Sequence, residues 1–159
     1  MPSHQGRGPR TYSMYPDLHA LISSSLESSH PELTFSFHHP DTDMNCTNTY
    51  DTNIMGKFLC NNRTCTSSGW SSKKIAITIR MYRDQKYNVR VYHQRCKRCN
   101  WVSRPELEEE SYVDRVTYRL KKWNGVKGMD QPMHKGESQG PHDRKRCEGC
   151  KAGHCMGLR

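Results

Sequence analysis

The residues best suited to chemistry are seven of the eight cysteines, which stand in short-spaced groups. One pair is Cys60 and Cys65, a second pair is Cys96 and Cys99, and a third group near the C-terminus adds a histidine. Short spacings aim neighbouring sulfurs at one point, and four thiolate or imidazole ligands make a closed tetrahedral zinc site. The sequence therefore predicts two zinc ions per chain, one held by Cys60, Cys65, Cys96 and Cys99, the other by Cys147, Cys150, Cys155 and a nearby histidine, His142 or His154.

Two residues near these groups leave alternatives open. His154 could replace His142 as the fourth ligand of the second site, although it stands beside Cys155 and neighbouring side chains reach one ion awkwardly. Cys46 could complete four cysteine pairs, but it lies fourteen residues before Cys60 and forms no short-spaced pair. We therefore expect Cys46 to be a structural or solvent-facing residue and not a ligand.

The thirty residues between the first two cysteine pairs have the period-two pattern of β-strands. The polar stretch 83–86 divides them and is short enough for a hairpin loop, so the second strand returns beside the first and carries Cys96 towards Cys60. By the same alternation, His93 is expected to be a packed strand residue. The alternating apolar residues are Ile75, Ile77, Ile79 and Met81 in the first strand, and Tyr87, Val89 and Val91 in the second.

The chain divides into three parts. Residues 1–14 are polar and aperiodic, and we expect them to be disordered. Residues 15–48 form an N-terminal extension in which the pattern predicts a short helix over 15–26 and a strand over 33–38. The zinc-binding domain is expected over residues 49–159.

One main helix is predicted after the second cysteine pair. Ser111 with Asp114 three residues later resembles a capping box, and Asn124 followed by Gly125 is typical of a helix end. Its expected buried stripe is Val113, Val116, Leu120 and Trp123. The predicted fold class is a small α+β zinc-binding fold: an antiparallel, zinc-ribbon-like sheet with one main helix and a C-terminal zinc knuckle.

Composition limits the class of protein. Only 33% of the residues are apolar, which disfavours a core of ordinary size and favours support from metal. No apolar run has the length of a signal peptide or a membrane span, so we expect an intracellular protein, cytoplasmic or nuclear, in which zinc is favoured over disulfides. Seven thiolates and two zinc ions would change the formal charge from +9 to +6, which still permits contact with anionic partners.

The ordered cysteine groups resemble the 3CxxC-type zinc-finger family, which includes the receptor-transporting and zygote arrest proteins. The resemblance covers residues 49–155 and rests on three runs, 55–60, 92–99 and 140–155. It implies a zinc-binding fold, and it implies His142 as the fourth ligand, because receptor-transporting proteins have a histidine at that matching position and none at the position of His154.

Two departures from that family limit what the resemblance implies. The first pair has four intervening residues where the family has two, and the C-terminal membrane segment of receptor-transporting proteins has no counterpart in these 159 residues. The chain is more similar to soluble members of the family. We therefore expect no transmembrane segment and carry over no role in receptor trafficking.

Both predicted metal sites are filled by protein ligands, whereas a zinc enzyme needs an open coordination position, so we expect no enzymatic activity. The main hypothesis is a protein-interaction or adaptor module, as the receptor-transporting resemblance implies. The alternative is RNA binding, implied by the zygote arrest resemblance and by basic and aromatic residues on a hairpin face that we expect to be exposed. These residues are Lys73, Lys74, Arg80, Tyr82, Arg90, Tyr92, Arg95, Lys97 and Arg98, with Trp70 and Trp101 beside them. Tyr82 and Tyr92 could instead be cross-strand packing residues.

Overall fold

Three long antiparallel strands form the centre of the fold. The computed structural model describes residues 10–131 and 142–155, and in it the order is β3 (Cys46–Phe58), β4 (Trp70–Tyr82) and β5 (Lys86–Tyr92). Ile79 in the middle of β4 lies opposite Tyr50 of β3 and Val89 of β5. The predicted hairpin is therefore present, with strands that extend further towards the first cysteine pair than the apolar alternation indicated.

Short strands cover the edges of this sheet. β1 (Tyr12–Ser13) pairs antiparallel with one end of β5, and β2 (Ser36–Phe37) pairs parallel with the other end. The predicted disorder of residues 1–14 is thus wrong for Tyr12–Ser13, while residues 1–9 lie outside the described residues. The predicted strand over 33–38 is only two residues long.

Three more short strands follow β5 in the chain. β6 (Gln94–Arg95) pairs with β7 (Val102–Ser103), and β8 (Glu106–Leu107) pairs with β3.

Two helices pack on one face of the sheet. α1 (His19–Ser29) follows a 3-10 turn at Pro16–Leu18 and agrees with the predicted N-terminal helix. α2 (Glu109–Trp123) begins two residues before Ser111, so the predicted capping box is wrong. The Ser111 hydroxyl instead accepts a hydrogen bond from the backbone N–H of Met55 at 3.0 Å. No helix in the described ranges combines the length and apolar character needed to cross a membrane.

The main core lies between these helices and the sheet. It contains Ile22 and Leu26 of α1, Tyr112, Val116 and Leu120 of α2, and the strand residues Ile54, Phe58, Ile75, Ile77, Ile79, Tyr87, Val89 and Val91. The opposite face of the sheet is also covered. A 3-10 turn (Arg144–Arg146), the short helix α3 (Glu148–Lys151) and the loop 38–45 lie on that side. As a result, β4 is buried on both faces from Ile75 to Arg80.

Two buried tyrosines in the core provide a matched stability test. The Tyr112 hydroxyl has no hydrogen-bond partner within the described residues, whereas the Tyr87 hydroxyl lies 2.8 Å from Nδ1 of His19. We expect Tyr112→Phe to leave the free energy of unfolding unchanged or to raise it, because it removes an unsatisfied polar group. Tyr87→Phe should lower it by about 1 kcal/mol. Urea unfolding at a fixed free zinc concentration measures both, and a Tyr112→Phe variant that loses as much as Tyr87→Phe would contradict the prediction.

Candidate metal centres

The first metal centre brings together the four predicted cysteines at the end of the sheet. Cys60 follows β3, Cys65 lies in the loop before β4, and Cys96 and Cys99 lie between β6 and β7. Their sulfurs all lie within 4.8 Å of one another, with 3.4 Å between Cys60 and Cys99 and 3.8 Å between Cys65 and Cys96. A tetrahedron with Zn–S bonds of about 2.3 Å has edges of about 3.8 Å. The four thiols therefore fit one zinc ion.

Local hydrogen bonds shape the two loops that hold this centre. In the first, the Asn62 side chain accepts hydrogen bonds from the backbone and hydroxyl of Thr64, which turns the chain before Cys65. In the second, the backbone N–H of Cys96 donates to the Trp101 carbonyl, and the N–H of Asn100 donates to the Cys96 carbonyl. Both loops are thus built from turns that begin or end at a ligand, which explains how a four-residue and a two-residue spacing meet at one point.

The electrostatics of the first centre favour a cation. Burial and the neighbouring thiols raise the pKa of Cys60 to about 12. Burial also opposes ionisation of Cys96, but hydrogen bonds from the backbone amides of Cys99 and Arg98 outweigh it and lower the pKa of that thiol to about 6. Four sulfurs this close can all be thiolates only with a positive charge between them. A zinc ion supplies that charge and cross-links the strand ends.

The second centre contains His142, Cys147, Cys150 and Cys155. The Nε2 atom of His142 lies 3.3 Å from the Cys150 sulfur and 3.5 Å from the Cys155 sulfur. Bonds of about 2.0 Å to nitrogen and 2.3 Å to sulfur place two ligand atoms of a tetrahedral zinc about 3.5 Å apart. Burial raises the pKa of Cys150 to about 11, and a hydrogen bond with Cys155, with burial, raises that of Cys147 well above its ordinary value. This set also fits one zinc ion.

The second centre is docked on the sheet face opposite the helices. Gly149, between two of its cysteines, lies so close that an added Cβ would be 2.3 Å from the Cβ of Ala76. The backbone N–H of Glu148 donates to the His93 carbonyl, and the Glu148 carboxylate pairs with Arg95 at 2.6 Å. The centre therefore binds the sheet through its backbone and through one glycine that no larger residue can replace without displacement.

The remaining candidate ligands lie outside both clusters. His154 stacks on Tyr92, and its Nδ1 lies 3.0 Å from a carboxylate oxygen of Asp51. His93 is buried, as expected for a strand residue, and desolvation lowers its pKa to about 4. The Cys46 thiol donates to the backbone carbonyl of Asn48. The structure thus brings His142, and not His154, to the second centre.

The hairpin residues predicted to contact nucleic acid do not form one exposed face. Arg80 is 1% exposed, and Tyr82 and Tyr92 are also buried, because the loop 38–45 and the second metal centre cover this side of the sheet. Arg90 and Arg95 are half-buried in ion pairs with Asp41 and Glu148. Lys73 and Lys74 are half-buried, and Lys97 and Arg98 are exposed on the loop of the second cysteine pair. The expected exposure of Arg80, Tyr82 and Tyr92 is therefore wrong.

Sequence reasoning missed the residues that cover this face. Asp41 accepts hydrogen bonds from both Arg80 and Arg90, and these bonds outweigh desolvation and lower the pKa of its carboxyl. Asn53 donates a hydrogen bond to the Cys155 sulfur. One feature of the sequence could have indicated that this face is covered. Polar residues such as Asn53 alternate with core residues along the strands, and a polar side chain that becomes buried needs a hydrogen-bond partner.

The fold and the two tetrahedral clusters define a zinc-binding protein of the zinc-ribbon type. A model of the 3CxxC zinc-ribbon family, described as a zinc-binding domain, matches residues 53–153, which is more than half of the chain. The chain therefore belongs to this family. Neither a curated protein nor a solved structure matches it.

Proposed function

We propose that the protein is a non-enzymatic adaptor, a zinc-stabilised module that binds another protein. The observation that carries this proposal is the closed ligand set of both centres, each of which offers four protein ligands to its ion. A zinc ion held in this way has no open position for a substrate and acts as a structural cross-link. The binding function then belongs to the protein surface that the metal holds in shape.

The surface around the first centre, here called the ribbon end and defined as residues 59–66 and 95–101, has the side chains suited to such binding. Leu59, next to Cys60, is 66% exposed, and Trp101, two residues after Cys99, is 44% exposed. A single exposed apolar residue is ordinary, but here two of them flank one rigid centre. Tryptophan and arginine are enriched among residues that dominate binding energy, and Arg98 is exposed on the same loop as Trp101.

Substitutions at the ribbon end test the adaptor proposal. Zinc-loaded wild type, Leu59→Ser and Trp101→Ala are used as baits in a cross-linking pull-down from cell extract, with Met44→Ser as the control. Met44 is 72% exposed but lies near the opposite end of β3 from Leu59. We expect a protein that wild type and control retain equally and that Leu59→Ser and Trp101→Ala retain at least about tenfold less, since each removes a central apolar contact. Equal retention by all four baits would overturn the ribbon end as the binding surface.

RNA binding is the second candidate, and one observation favours it. Lys97 and Arg98 are exposed close to Trp101, so the cations could bind a phosphate while the indole ring stacks on a base.

Two additions to the pull-down test this candidate: a nuclease-treated extract, and a separate binding measurement with a fluorescent single-stranded RNA. Binding that is strong at low salt, falls steeply with added salt and weakens in Lys97→Ala would favour RNA over a protein partner. Absence of binding at low salt would exclude the RNA alternative.

A further inference from the structure

A buried amide reaches the second metal centre from the middle of the sheet. Asn53 lies on β3 opposite Ala76 of β4, and only 6% of its surface is exposed. Its side-chain Nδ2 donates a hydrogen bond to the Cys155 sulfur over 3.6 Å, a distance that suits the large radius of sulfur. Cys155 itself is buried. The contact therefore joins a central strand to a ligand that is 102 residues further along the chain.

Asparagine is an unfavourable residue for this position unless the amide has a partner. Strands disfavour it, and a buried polar group without a hydrogen bond costs about 1–3 kcal/mol. The next residue, Ile54, points to the opposite face and packs in the main core. An apolar residue at position 53 could pack beside Ala76 without that cost. The sulfur of Cys155, which is a thiolate when it binds zinc, gives the amide a charge-assisted acceptor.

The second centre is negatively charged when it holds zinc, so a hydrogen-bond donor beside it is stabilising. Three thiolates, one neutral imidazole and one divalent zinc carry a formal charge of −1, and the centre packs on the uncharged residues Ala76 and Tyr92. A hydrogen bond to a ligating sulfur spreads this charge and holds the ligand in place.

We propose that Asn53 is a positioning residue for the second zinc ion, which orients the Cys155 thiolate and strengthens zinc binding at that centre alone. Backbone N–H groups also bond ligating sulfurs, for example Ser67 to Cys65 in the first centre and Cys150 to Cys147 in the second. The Asn53 bond comes from a side chain, so a substitution can remove it and leave those backbone bonds in place.

The test compares Asn53→Leu with Thr52→Val in the full chain. Leucine has a similar size and lacks the donor. Thr52 is the neighbour of Asn53 on β3, and Thr52→Val removes the partly buried hydrogen bond that Arg115 donates to its hydroxyl. This change leaves the ligands of the second centre untouched. Competition with a chromophoric chelator measures both zinc affinities, and the absorption spectrum of the Co²⁺-loaded protein reports on the sulfur ligands.

We expect Asn53→Leu to weaken the binding of one of the two zinc ions by about 10- to 100-fold and to shift the sulfur-to-cobalt charge-transfer band. Thr52→Val should change neither. A purely structural role of Asn53 would lower the stability of Asn53→Leu without weakening zinc binding or moving the band, and that result would overturn the proposal. If Asn53→Leu does not fold, NMR of the ¹¹³Cd-loaded wild type provides the test. The side-chain amide protons of Asn53 should show scalar coupling to cadmium through the hydrogen bond to Cys155. A lack of this coupling would overturn the proposal.

Discussion

Removal of both zinc ions is expected to unfold the protein. Each structural zinc contributes on the order of 10 kcal/mol or more to folding, which is as large as the whole stability of a typical small domain. The first centre holds together the ends of β3, β6 and β7, and the second holds residues 142–155 on the sheet. Exhaustive chelation should therefore abolish the far-ultraviolet circular dichroism of the folded state and make the chain sensitive to protease, and added zinc should reverse both changes. Unchanged dichroism and proteolysis after chelation would contradict a structural role for the metal.

Two cysteine variants separate the effect of losing a metal ligand from the general effect of losing a thiol. Cys96→Ser removes a buried ligand of the first centre and should reduce zinc from two ions per chain to one, with a loss of thermal stability. Cys46→Ser changes a half-buried thiol that belongs to neither cluster and should retain two ions. Native mass spectrometry counts the ions in each case. A single zinc ion in the wild type would contradict the assignment of eight ligands.

Substitution of Arg80 by methionine is expected to lower the free energy of unfolding by about 1–3 kcal/mol, the usual cost of leaving a buried hydrogen-bonding group without its partner. The Arg80 guanidinium pairs with Asp41 and Asp43 and donates from Nε to Asn88 at 2.8 Å. Methionine keeps the length of the side chain but leaves the Asn88 oxygen and the Asp41 carboxylate with one donor fewer. The loop 38–45 should then detach from the sheet, which limited proteolysis would detect.

The control for this variant is Arg83→Met in the exposed turn between β4 and β5. A surface substitution of this kind usually changes stability by no more than about 0.5 kcal/mol. Urea unfolding of both zinc-loaded variants, at one free zinc concentration, gives the two values. Equal stability of Arg80→Met and Arg83→Met would show that the hydrogen bonds and ion pairs of Arg80 do not hold the loop 38–45.

The difference between the predicted and observed hairpin face has a clear physical cause. Alternation distinguishes two faces of a strand, and it correctly assigned Ile75, Ile77 and Ile79 to the main core. The other face of β4 looked solvent-exposed because it contains Thr78 and Arg80. Alternation cannot show that an acidic loop and a metal centre from distant parts of the chain cover that face, since the pairing of Arg80 with Asp41 depends on contacts 39 residues apart.

The sequence by itself determined the seven cysteine ligands, the central hairpin and the presence of both main helices, because short cysteine spacings and local periodicity act over a few residues. Only the tertiary structure decided three other features: the pairing of β1 and β2 with the edge of β5, the start of α2 at Glu109 with Ser111 bonded to Met55, and the bond from Asn53 to Cys155. Each of these depends on hydrogen bonds between distant segments, whose partners exist only once the chain has folded.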